Sequence, residues 1–134
     1  MNNTKTTRPF EMWTAWDCLG RHDCRPVIVI SQEGDTDTVT VIPLTSDRES
    51  TQLPTHVLIS EQGLDHTSRA LCEKVKTIRR KTLIRRIGCV YEPYDRFALR
   101  HALAVHLGLQ AEEGIQARNR TRRKQILFYR RYDP

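Results

Sequence analysis

The run Val27-Ile28-Val29-Ile30 limits what this chain can fold into more than any other segment. Four consecutive β-branched residues leave no polar face, so the segment reads as a strand covered on both sides rather than one with a wet face. It is entered through Cys24-Arg25-Pro26. Proline has no N–H for a ladder and suits the first residue of a strand, which puts Arg25 where the chain passes from loop to core. A cation there is held by rigid backbone and still faces solvent, ready either for an ordinary surface ion pair or for an anion from outside.

Other strand signals surround this one. They lie at 10–16 (FEMWTAW), at 38–44 (TVTVIPL, paired as a hairpin with 27–31 across EGDTD), at 55–60 (THVLIS), at 69–78 (RALCEKVKTI) and at 86–90 (RIGCV). The segment RRKTLIRR at 79–86 reads as a loop or a single helical turn. The period then changes: Ala98, Leu99, Ala102, Leu103, Val105 and Leu109 recur at helical spacing, with Pro93 in the first turn and Gly108 near the stop. Short strands followed by one terminal helix predict an α+β domain, a small, strongly bent antiparallel sheet or barrel, over residues 1–109. Residues 110–134 form a basic C-terminal extension whose apolar patch, Ile126-Leu127-Phe128-Tyr129, is expected to be flexible or to dock.

No stretch approaches the ~20 apolar residues of a membrane span, and MNNTKTTRPF lacks the apolar run of a signal peptide, so a soluble cytoplasmic protein is expected. Its four cysteines, Cys18, Cys24, Cys72 and Cys89, then read as thiols. Cys18, His22 and Cys24 have no second ligand pair at metal spacing, and neither a phosphate-cradling glycine loop nor a nucleophile elbow is present; no metal or cofactor is expected. Charge is unevenly spread. Residues 1–72 carry six basic against ten acidic side chains, residues 73–86 seven against one, and residues 110–134 seven against three. Clustered positive charge on a folded domain is the footprint of a polyanion, or else a solvated charge run.

Taken in order, CRPVIVIS at 24–31, VIPLTSD at 41–47, LPTHVLI at 53–59, LCEKVKTI at 71–78, RIG at 86–88 and HALAVHLGL at 101–109 resemble the MazF/PemK family of bacterial type II toxins. The resemblance spans roughly 8–109. It implies an SH3-like barrel with a C-terminal helix, a homodimer, a cognate antitoxin as partner and single-stranded RNA as substrate. It also implies metal-independent cleavage by the ribose 2′-OH, giving 2′,3′-cyclic phosphate and 5′-OH ends. Arg25 falls on the family's phosphate-holding arginine, Thr45 on its threonine and Glu73 on its acidic strand-end position, a proton acceptor. His22, Ser46, Lys74, Lys76, Arg79 and Arg80 are the expected substrate-binding groups.

The chain also departs from the family pattern. DCLGRHDC at 17–24 is shorter than the usual first loop, Leu71 stands where some members carry an arginine, and Lys74-Val75-Lys76-Thr77 replaces Gln-x-Arg-Thr. A gyrase-poisoning toxin of related fold and a catalytically silent RNA-binding relative are the alternatives.

Overall fold

The computed structural model describes residues 5–17, 19–46 and 53–109. Seven strands and one helix follow in chain order: β1 (Glu11–Trp16), β2 (Cys24–Val29), β3 (Thr38–Thr45), β4 (His56–Ile59), β5 (Ser68–Leu71), β6 (Lys76–Arg79), β7 (Leu83–Cys89) and α1 (Pro93–Leu107), with 3₁₀ turns at Cys72–Lys74 and Arg80–Thr82. All pairings are antiparallel. The sheet runs β4-β5-β3-β2-β1-β7, with β6 also on β3. The expected α+β architecture is present. Its ends, β4 and β7, are not paired with each other, so the sheet bends without closing into a ring.

Val27, Ile28 and Val29 have no exposed surface, and the alternation of side chains along β2 sends them into two different cores. Ile28 joins Met12, Ile42, Leu44, Leu99 and Ala102 under the helix. Val27 and Val29 pack with Trp13, Val39, Val41 and Leu83 on the other face. Burying each such side chain contributes roughly 1.5–3 kcal/mol, so this strand anchors both halves of the fold. Glu92 caps α1, its side chain accepting from the Tyr94 N–H at 3.4 Å, and Gly108 ends the helix in the left-handed conformation at φ 76°.

The strand expected at 69–78 is broken into β5, a 3₁₀ turn and β6. The cause lies in β3, whose one edge is shared: β6 pairs with Thr38 to Val41 and β5 with Leu44 and Thr45. Thr40 directs both backbone groups toward β2, accepting from the Ile30 N–H and donating to Ser31 Oγ. By alternation, Pro43 turns its missing N–H to the opposite edge, between the two partners. A continuous strand would find no donor there, so the chain steps over the gap through Cys72–Lys74. RRKTLIRR likewise divides differently from expectation: a turn over Arg80–Thr82, then the first residues of a strand that begins three residues early, at Leu83.

Candidate active site

Pro26 is the third residue of β2, not the first, and its position explains why a cleft exists. β1 pairs with β2 from Cys24 to Ile28, whereas β3 pairs only from Val27 to Val29. Pro26 has no N–H to offer β3, so that ladder stops and the two strands part. The opening is a cavity of about 310 Å³, lined on these strands by Asp23, Cys24, Arg25, Pro26, Leu44 and Ser46. Arg25 donates through Nε to Asp23 Oδ2 at 3.2 Å, and its side chain remains 24% exposed. The terminal NH₂ groups of Arg25 make no hydrogen bond among the described residues. A planar, permanently charged fork tethered at one nitrogen and open at the others suits a phosphate or carboxylate.

The opposite wall is the connection between β4 and β5 together with β7. Gly63, Leu64, Asp65, His66 and Ser68 line it from the connection, and Arg85 and Ile87 from β7. Gly63 makes the approach possible: a Cβ there would stand 2.1 Å from the Ile87 carbonyl oxygen. Glu61 fastens the start of the connection by accepting from the Tyr91 N–H at 3.1 Å, and Ser68 Oγ donates to the His66 carbonyl at 3.3 Å at its end. This wall is held at three points.

The short loop ahead of Arg25 is a closed turn. Asp17 N–H donates to the Asp23 carbonyl at 2.7 Å, and Asp17 Oδ1 accepts from the His22 N–H at 2.9 Å. Asp17 and His22 both sit at positive φ, 59° and 54°, a conformation uncommon for non-glycine residues and adopted most readily by types such as Asp, Asn and His. The His22 side chain is exposed, 3.9 Å from Asp17 Oδ2, and does not line the cavity. Cys18, in the same loop, lies outside the described residues.

The remaining expected site residues separate into three groups. Ser46 lines the cavity; Thr45, beside it, is buried and stands opposite Arg69 in the β3–β5 register. Glu73 belongs to a different cluster. His56, almost fully buried, accepts the Leu53 N–H at Nδ1, so its Nε2–H donates to Glu73 Oε2 at 3.0 Å, while Thr55 Oγ1 donates to Glu73 Oε1 at 2.9 Å. Burial pushes the Glu73 carboxyl up, but hydrogen bonds from His56, its own backbone and Thr55 outweigh it and hold the group below the usual carboxylate range. The neighbouring Cys72 thiol is pushed up to about 12 by burial and by the Glu73 charge, so it stays protonated.

Among the expected cations, Lys74, Lys76 and Arg79 are exposed on the Cys72–Lys74 turn and β6, away from the lining of the cavity. Arg80 is a correction. It is buried, donating to the carbonyls of Thr36, Lys5 and Thr38 and to Thr7 Oγ1, so it ties the N-terminal segment to the β2–β3 turn and presents nothing to a ligand.

Arg85 and His66 are among several lining residues that the sequence did not single out as site residues. Arg85 was hidden by reading RRKTLIRR as a loop or a single helical turn; as part of a strand it pairs with Thr14 and lines the cavity. His66 carried no pattern at all, since only the folded connection brings it to the lining of the Arg25 cavity. Of the two tryptophans, Trp13 is core, with Nε1 donating to Glu11 Oε1 at 2.9 Å, and Trp16 is 48% exposed. No helix among the described residues is long and apolar enough to cross a membrane.

Solved structures share this fold. An endoribonuclease in complex with its cognate antitoxin from a mycobacterial species superimposes with a TM-score of 0.65 at 23% identity, covering 77% of this chain and 96% of that one. The Mycobacterium tuberculosis toxin MazF-mt6 gives a TM-score of 0.62 at 27% identity, covering 75% and 97%. MazE-MazF from Deinococcus radiodurans gives 0.61 at 16% identity, covering 78% and 97%. The family model described as PemK-like, MazF-like toxin of type II toxin-antitoxin system matches residues 9–107. With Arg25 at the mouth of β2, Ser46 in the same cleft and a match that takes in every described strand and the helix, the chain belongs to the PemK/MazF toxin family of type II toxin–antitoxin systems.

Proposed function

We propose that this chain is an endoribonuclease toxin that cleaves single-stranded RNA at the Arg25 cavity. The observation that carries this reading is Arg25 itself: strand-held, tethered by one nitrogen to Asp23, and facing a cleft that also holds Arg85 and Ser46. In the reaction, the ribose 2′-OH attacks the adjacent phosphorus and the 5′ oxygen leaves, giving a 2′,3′-cyclic phosphate and a 5′-OH. Because the nucleophile is part of the substrate, no metal is needed to generate one. Arg25 and Arg85 stabilise the charge that builds on the phosphoryl oxygens, and Ser46 and Thr45 orient the phosphate. Lys74, Lys76 and Arg79 attract the backbone from outside the cavity. The protein works in the cytoplasm as a homodimer and is neutralised by a cognate antitoxin; the family membership and the antitoxin-bound mycobacterial relative support this partner.

Purified protein incubated with mixed-sequence RNA in EDTA is expected to yield fragments ending in 2′,3′-cyclic phosphate and 5′-OH, and Arg25→Ala to abolish them. RNA that is bound but left intact would identify a catalytically silent RNA-binding protein instead. Intact RNA with disturbed DNA supercoiling would identify a gyrase poison.

A further inference from the structure

We infer that His66 is a proton-transfer group of this cavity, the base that removes the 2′-OH proton; the inference rests on the ribonuclease reading. Cleavage by a 2′-OH requires a proton acceptor within the site, and the lining restricts the choice. Arg25 and Arg85 present guanidinium groups, which donate and have no acceptor. Asp23 accepts from Arg25 through Oδ2 at 3.2 Å, and its Oδ1, though it has no hydrogen-bond partner among the described residues, is buried. Glu73, the family-implied acceptor, is engaged by His56 and Thr55 and does not line the cavity. Among the described lining residues this leaves Asp65, His66 and the exposed thiol of Cys24, and of these side-chain types the imidazole is the one that most often serves as a general base. The His66 ring makes no hydrogen bond among the described residues, while its backbone is held by Ser68. Gly63 packs the same connection closely against β7, and His66 lines the cavity together with Arg25, Asp23 and Ser46.

The step balances simply. The neutral imidazole of His66 takes the 2′-OH proton as the O2′–P bond forms. The P–O5′ bond breaks with its electron pair on O5′, which takes a proton from water. The imidazolium then returns its proton to the hydroxide so formed, leaving the enzyme unchanged.

The test is single-turnover cleavage of an RNA oligonucleotide by wild type, His66→Gln and His66→Ala from pH 5 to 9, with binding measured separately on the 2′-deoxy oligonucleotide, which has no nucleophile. The expected result is a rate about 10²-fold lower in both variants. Binding should stay within about twofold. The rise of wild-type rate with pH through the imidazole range should disappear, and added free imidazole should partly restore the Ala variant. Variants that cleave at the wild-type rate with the same pH profile overturn the proposal while leaving the ribonuclease reading intact. So does a loss confined to binding. Wild type that cleaves no RNA overturns the ribonuclease reading and this proposal with it.

Discussion

Arg25, in β2, and Arg80, in the turn between β6 and β7, are the same residue type, and they do opposite things. Arg25 uses one nitrogen on Asp23 and turns the rest toward a cleft. Arg80 gives its donors to three backbone carbonyls and a threonine, and only 5% of it is exposed. In the linear sequence the ranking looks reversed, for Arg80 lies in the densest basic block and Arg25 in an acidic stretch. Availability depends on which acceptors the fold brings near. Charge density along the chain is therefore a poor guide to which cation meets a ligand, and a local break in hydrogen bonding, such as that at Pro26, is a better one.

The contrast can be broken experimentally, beginning with the largest expected effect. Arg25→Ala should lower RNA cleavage by about 10²–10³-fold. Its unfolding free energy should move by less than about 1 kcal/mol, as for a partly exposed side chain with one ion-pair partner. A large loss of stability in urea would make Arg25 structural too, and erase the distinction. Arg80→Met should do the reverse, costing about 3 kcal/mol because its buried acceptors lose their donors. The refolded protein at low temperature should still bind RNA with wild-type affinity. A variant of normal stability but weakened RNA binding would return Arg80 to the ligand surface.

Glu73 supplies a smaller test. Its folded carboxyl is held below the ordinary 4.5, so its contribution to stability is complete above that value and is lost as pH falls through the folded one. Glu73→Gln should cost about 1–2 kcal/mol at neutral pH and flatten the acid limb of a urea-midpoint profile. Cleavage per folded molecule should be unchanged. A hundredfold fall in cleavage at wild-type stability would make the carboxylate the base and remove His66 from that role. The smallest effect belongs to the rim: Arg79→Ala should leave saturated cleavage unaltered and reduce the salt dependence of RNA binding by about 0.7 in log–log slope. An unchanged slope would place the RNA path elsewhere.

Much of the fold was legible because its cues are local. The two-sided burial of Val27, Ile28 and Val29, the β2–β3 hairpin and the helix from Pro93 with its Gly108 stop all follow from patterns within a few residues. The broken strand at 69–78 was not legible, since its cause is Pro43, some 30 residues earlier in the chain, facing the edge where that strand would dock. The same holds at the site. Arg25 could be singled out from its neighbours in sequence, whereas Glu73 stood evenly between proton acceptor and structural ion pair until His56 and Thr55, brought in at the start of β4, were seen to occupy it.

By itself the sequence determined the class of the domain, the buried strand at its centre, the family to which its motifs belong and the arginine at the strand's mouth. These depend on periodicity, on proline's missing N–H and on residue order, all of which survive in one dimension. Only the tertiary structure decided which charges are free. Gly63 had to meet Ile87 before His66 could line the Arg25 cavity, and Arg80 had to find Thr36, Thr38, Lys5 and Thr7 before it ceased to be a surface cation. A hydrogen bond is satisfied by whatever group arrives in space, and no local pattern records which group that will be.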